Sequence, residues 1–196
     1  MTAKKFFPNA MFIGILAMTC QIVDQMIVRD IGGIGPLVGG GGWIAFQAWA
    51  MYFLAGGTLK GGARALIGYG FGMVASILIL FCGTELSSAL GFWSVPLVLL
   101  VLVPPVIYLM IGPEMVNLVP AVFVGAGVFF GVMTYCPFDS GLTQWGMFGQ
   151  TFLAETVYCV LGLIFGWLTV TQQTWYNAKY VEPAAKAAAP VEEAAE

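Results

Sequence analysis

The chain has 196 residues, 60% hydrophobic and 9% charged, with a net charge of −3 and a mean hydropathy of +0.91. A soluble domain carries about a quarter charged residues, and seven Lys plus Arg with ten Asp plus Glu are too few to hydrate a globule of this size. Nucleic acid is disfavoured as a partner, because no basic run exceeds Lys4-Lys5 and no basic stripe forms.

The apolar stretches are continuous rather than alternating, so helices rather than barrel strands satisfy the backbone in lipid. The expected fold is all-α, integral to a lipid bilayer, with six transmembrane helices at about 10–28, 42–54, 65–82, 95–111, 119–135 and 151–170. Lys4 and Lys5 precede the first apolar run as in a signal peptide. Gln21, Asp24 and Gln25 then follow without a small-x-small cleavage site, so the first span is expected to be retained. The second span is short, and the glycine-rich stretch 31–42 before it either lies outside the membrane or dips into it.

Placing the N-terminus inside puts Lys4, Lys5, Lys60, Arg64, Lys179 and Lys186 on the cytoplasmic side and only Arg29 outside. That asymmetry predicts six spans with both termini cytoplasmic. Residues 1–170 would form the membrane domain. The tail 171–196 would be a cytoplasmic segment, with Trp175, Tyr176 and Tyr180 at headgroup depth and a mobile Ala/Pro/Glu-rich end.

Three glycine pairs, Gly68/Gly72, Gly127/Gly131 and Gly162/Gly166, sit at the four-residue spacing that lets helices approach closely in lipid. Spans one to three and four to six each form a three-helix unit, a layout compatible with two inverted repeats. Pro104 and Pro105 fall in the fourth span and remove two backbone donors, so a kink or break is expected there.

No catalytic constellation is visible. Histidine is absent, which removes the commonest general base and metal ligand, and no nucleophile elbow, phosphate loop or paired-cysteine motif occurs. An enzyme, a cofactor and a metal are accordingly not expected. Cys82 and Cys136 fall near the outer ends of spans, where a disulfide is conceivable but spacing cannot establish proximity.

The polar residues within spans are more informative. Gln21, Asp24 and Gln25 share one face of the first helix, and a carboxylate there costs a few kcal/mol unless it meets water or a partner. Asp24 either pairs with Arg29 or lines a solute path. Glu155 is either a first-turn acid favoured by the helix dipole or part of the same mouth. Gln47 and Asn117 either tie helices together or touch a solute. Asp24, Asp30, Glu85, Asp139 and Glu155 gather in the outer half, which favours cations over anions.

A family resemblance adds to this. Trp43 to Gly62, containing Ala50-Met51-Tyr52-Phe53 and Gly56-Gly57-Thr58-Leu59-Lys60-Gly61, resembles the small bacterial inner-membrane proteins typified by the enterobacterial YcdZ. Val119 to Ala126 and Leu161 to Gly166 agree in order and spacing. The resemblance covers roughly residues 40–170 and implies a bacterial inner-membrane location and an uncharacterised family. It transfers no activity and no site residue. The leading expectation is a homo-oligomeric channel or facilitator for a small neutral or cationic solute, with Gln21, Asp24, Gln25, Gln47 and Glu155 as pathway candidates. Its rival is a non-transporting subunit or scaffold that packs against a larger complex.

Overall fold

A computed structural model describes residues 3–108 and 111–182, with side chains from residue 6 onward. Seven helices follow one another: α1 (Ala3–Ile31), α2 (Gly42–Leu54), α3 (Leu59–Glu85), the single turn α4 (Ser87–Leu90), α5 (Ser94–Tyr108), α6 (Val119–Tyr135) and α7 (Gln144–Tyr176). The fold is all-α; among the described residues the only bridge between extended segments joins Ile34 to Leu37. Among the described residues four stretches are long and apolar enough to cross a membrane: Phe6–Ile31, Leu59–Glu85, Ser87–Tyr108 and Gln144–Val181. The apolar α6 has 17 residues and α2 only 13. At 1.5 Å per residue α2 spans about 20 Å, short of a hydrocarbon core of about 30 Å.

Local chemistry sets the helix ends. Thr58 and Thr143 cap α3 and α7, their hydroxyls accepting the amides of Gly61 at 3.0 Å and Gly146 at 3.2 Å. After α2 the chain turns through Gly56 (φ 94°) and Gly57 (φ 64°), a left-handed pair that only glycine adopts without strain. The stretch 32–41 folds back onto the bundle instead of projecting from it. Leu37 is 2% exposed, and Gly35 lies against Gln150 of α7.

Two helix pairs make the closest contacts, α3 with α6 and α2 with α7. Each pair runs parallel, and glycine is the reason for the close approach. A Cβ on Gly68 would lie 2.6 Å from the Ala121 Cβ, and one on Gly72 would strike the backbone of Val122 and Ala126. On the other pair, Gly162 meets the Ala45 backbone and Gly166 meets Tyr52. Gly127 and Gly131 behave differently: a Cβ at either would meet nothing within 4 Å. The α6 glycine that does seat against α3 is Gly125, whose Cβ would lie 2.7 Å from the Tyr69 carbonyl oxygen.

α1 lies along α7 in the opposite direction. At one end Asn9, 2% exposed, donates to the Asn177 side chain and accepts from Gln172, both at 3.3 Å. The same end gathers the α2–α3 turn and the segment before α6. There Lys60 pairs with Glu114, and Arg64 donates to Asn117 at 2.8 Å. The Lys60 hydrogen bond and charge hold the exposed Glu114 carboxyl below its ordinary range. At the opposite end Gln144 donates to the Thr84 hydroxyl at 3.2 Å.

Two expectations need correction. Pro104 and Pro105 do not break their helix, since α5 continues through both to Tyr108. The fixed proline φ is itself helical, so what is lost is two amide donors to the carbonyls of the exposed Leu100 and Val101. The last helix also runs past residue 170: α7 reaches Tyr176 and continues as a π turn over Asn177–Val181. There Lys179 lies 5.1 Å from the Trp175 ring and 5.2 Å from the Tyr180 ring. Residues 183–196, and with them the Ala/Pro/Glu-rich end and Lys186, lie outside the described residues. Cys82 and Cys136 are free thiols, as are the buried Cys20 and Cys159.

Candidate polar centre on the inner face of α7

One face of α7 organises the interior. Thr151, Glu155, Tyr158, Cys159, Gly162, Gly166 and Thr169 are all buried, and their three- and four-residue spacings place them on a single stripe. The lower part of the stripe seats α2 through the two glycines and through Thr169, whose hydroxyl accepts the Trp49 indole N–H at 3.1 Å. The upper part carries the polar groups.

Asp24 of α1 enters this centre from the side. It is 6% exposed, and one carboxyl oxygen accepts two hydrogen bonds, from the Tyr158 hydroxyl at 2.7 Å and from the Gly41 amide at 2.9 Å. Gly40, at φ 96°, brings that amide inward, and a Cβ at Gly40 would lie 2.6 Å from an Asp24 oxygen. The glycine run before α2 therefore folds around a carboxylate. Arg29 is not the partner; it pairs with Asp30 at 2.6 Å on the exposed end of α1.

Glu155 is the more unusual group. It is fully enclosed, at 0% exposure, and among the described residues neither carboxyl oxygen has a hydrogen-bond partner. Its titratable neighbours are the Tyr69 phenol of α3 and the Cys159 thiol one turn along α7. The Tyr69 hydroxyl is likewise enclosed and unpartnered. Because α7 begins at Gln144, Glu155 lies about 16 Å along the helix. That is well inside the bundle, beyond the first turn where a helix dipole would favour an acid. An unpartnered carboxylate in so enclosed a place is costly by several kcal/mol. The group therefore exists either as the neutral acid or with a cation.

The structure divides the residues singled out by sequence. Asp24 bonds to Tyr158, which stands three residues along α7 from Glu155, while Glu155 itself neighbours Tyr69 and Cys159. Gln21 and Gln25 flank Asp24 in sequence but are exposed. Gln47 is also exposed and lines an open groove of about 350 Å³ between α2 and α6, with Trp43, Val124, Gly127, Val128 and Gly131. Asn117 receives Arg64 at the far end of the bundle. Tyr69, Tyr158, Cys159 and Gly41 were not anticipated. A tyrosine three residues from a mid-span acid was the available signal for Tyr158, whereas nothing local marked Tyr69. Asp30, Glu85 and Asp139 stay exposed, apart from the enclosed pair.

No curated protein and no solved structure matches this chain. The model of one protein family, described as a protein of unknown function (DUF1097), matches residues 10–174. That match takes in α2, α3, α5, α6 and both acids of the polar centre, and the chain belongs to the DUF1097 family.

Proposed function

We propose that the chain is a six-span facilitator for a small neutral or cationic solute, acting in a bacterial cytoplasmic membrane. The observation that carries this reading is Glu155, an acid enclosed in the bundle without a hydrogen-bond partner among the described residues and three residues along α7 from Tyr158, which bonds to Asp24. A carboxyl inside a membrane domain is costly to keep, and it is a marker of solute and ion paths. Two acids in one interior also select against anions. In this reading α2 and α6 complete the six spans, the 32–41 segment supplying the membrane depth that α2 lacks.

The end bearing Lys60, Arg64 and Lys179 faces the cytoplasm, following the excess of basic residues there. The parallel pairs α2–α7 and α3–α6 would correspond under an inverted repeat that relates α1–α3 to α5–α7, with Gly68/Gly72 matching Gly162/Gly166. Exposed Gln47 and the open glycines Gly127 and Gly131 support a homo-oligomer, since a second copy would give that amide partners.

The test is reconstitution of purified protein into liposomes, with stopped-flow swelling in glycerol, methylammonium and acetate. Flux of the first or second that exceeds acetate and is altered by Asp24→Asn supports the reading. Acetate flux equal to or above the others refutes the selectivity, and no flux of any probe refutes the facilitator. The second reading, a subunit that packs against other membrane proteins, draws on the open apolar groove of about 230 Å³ between α3, α5 and α6, lined by Ala75, Ile79, Leu99, Val103 and Phe123 among others. It predicts a chain that transports nothing and is recovered with a larger complex.

A further inference from the structure

We infer that Glu155, and not Asp24, is the proton-exchanging group that couples solute passage to a proton gradient. The inference rests on the facilitator reading for its transport consequence, but the proton site itself stands on geometry. The two acids have different surroundings. Asp24 is held in place by two donors, the Tyr158 hydroxyl and the Gly41 amide. Glu155 has no donor on either oxygen. A proton on it removes the buried charge and requires no cavity, and the side chain is fully enclosed.

Among the described residues the surroundings contain no fixed cation to replace that proton. From α3 the facing titratable group is Tyr69. α7 itself contributes Cys159 and Tyr158, and α1 contributes Cys20 and Asp24 behind Tyr158. The one titratable residue of α2 is Tyr52, packed against Gly166, and that of α6 is Tyr135, which is 86% exposed. The nearest basic group of α3, Arg64, is engaged by Asn117 and Glu114.

Position gives the proton a reason to move. Glu155 belongs to the α2–α7 pair and Tyr69 to the α3–α6 pair, so the acid lies on the seam between two glycine-locked bodies. Displacement of one pair against the other would expose Glu155 to water without unpacking either. The step is a plain acid–base exchange: the Glu155 carboxyl O–H bond breaks, the proton goes to water on the side to which the seam opens, and water on the other side returns one.

The experiment uses the full chain in phosphatidylethanolamine–phosphatidylglycerol vesicles that contain a pH-sensitive dye, with glycerol and methylammonium as probes. Infrared difference spectra are recorded on the same vesicles. Three proteins are compared: wild type, Glu155→Gln and Asp24→Asn. The inference is supported by probe flux accompanied by proton movement, with the protons moved per solute falling to none in Glu155→Gln but holding at the wild-type ratio in Asp24→Asn even as that variant alters the flux itself, together with a neutral-carboxyl band at neutral pH that only Glu155→Gln removes. Flux without proton movement, unchanged in Glu155→Gln, overturns the inference and leaves the facilitator standing. If wild type carries neither probe, the facilitator reading fails and the spectrum alone decides the proton site. A carboxyl band that exchanges with deuterium and is absent from Glu155→Gln upholds the site, and its absence from wild type overturns it. Glu155→Asp, which keeps the acid, should retain the band and distinguishes loss of the proton from loss of the fold.

Discussion

The contrast between Gly162→Ala and Gly127→Ala tests the packing argument directly. Both changes add one methyl to a helix interior, where alanine is favoured over glycine by about 1 kcal/mol. At Gly127 the added Cβ meets nothing within 4 Å, so that preference should appear undiminished as a gain of about 1 kcal/mol. At Gly162 the Cβ would strike the Ala45 carbonyl oxygen and lie 2.8 Å from both the Ala45 carbonyl carbon and the Ala48 Cβ. Backbone atoms have no alternative rotamer, so relief requires α2 and α7 to separate. Overpacking of this kind costs about 1–3 kcal/mol. Taking the upper end because the obstacle is backbone, and subtracting the helix preference, leaves a net loss of about 2 kcal/mol. The two variants should therefore differ by about 3 kcal/mol and in sign. Reversible unfolding in mixed detergent and dodecyl sulfate micelles, followed by far-ultraviolet circular dichroism, measures both. A Gly162→Ala protein as stable as wild type, or two variants shifted alike, would refute the close α2–α7 crossing.

Three further outcomes follow from the same geometry. Tyr158→Phe removes a hydroxyl donor to a buried carboxylate and should cost about 1.5–3 kcal/mol in that unfolding assay; a change below about 0.5 kcal/mol, within the ordinary range for surface substitutions, would mean that Asp24 does not depend on it. Glu155→Leu replaces an unpartnered buried acid with an apolar side chain and should raise stability by about 1–3 kcal/mol while abolishing flux, the trade expected where an interior group is kept for function. Glu114, whose carboxyl the Lys60 hydrogen bond and charge hold below its ordinary value of 4.5, contributes stability that is complete above that value and lost as pH falls through the lower folded one. The melting temperature of wild type should therefore exceed that of Glu114→Gln at neutral pH, with the two curves converging on acidification and the gap shrinking at high salt.

Much of the helical layout was legible because it depends on properties that accumulate along the chain. Runs of apolar residues and the basic residues flanking them placed α2, α5 and α6 to within about three residues at each end, and located α3 and α7, which both extend beyond the expected spans. Gly68, Gly72, Gly162 and Gly166 were legible as contact residues because spacing and residue type suffice to mark a helix face. The same rule drew in Gly127 and Gly131, which match the spacing but face outward; a four-residue glycine pair marks a smooth face, and only a neighbouring helix decides whether it is used. The polar centre was half visible. Asp24 and Glu155 were conspicuous as carboxyls in apolar stretches. Glu155 is not a first-turn acid, because α7 starts seven residues before the expected span at 151 and encloses it. Tyr69 and Gly41 belong to the site through tertiary contact alone, and no local pattern announces such a residue.

The polar centre and the glycine packing are parts of one arrangement. The α7 stripe that carries Glu155 and Tyr158 continues without rotation into Gly162 and Gly166, so the same contact that draws α2 onto α7 also shuts the space above it. α3 is drawn onto α6 by Gly68, Gly72 and Gly125, which leaves Tyr69 facing α7 across the gap between the pairs. Within each pair, backbone meets backbone and a displacement is resisted by direct collision. Between the pairs, contact is made by side chains, among them two enclosed hydroxyl and carboxyl groups with no hydrogen bond to hold them. An interior polar group that forms no bond adds nothing to the rigidity of that seam, whereas a hydrogen-bonded one such as Asp24 pins α1 to α7 and the segment before α2. The bonded acid ties α1 to one pair and the unbonded acid lies between the two pairs, as the proposed movement of the seam would require. Under that proposed shift Glu155, with no bond to either pair, would change its surroundings, whereas Asp24 would keep its bonds to Tyr158 and Gly41.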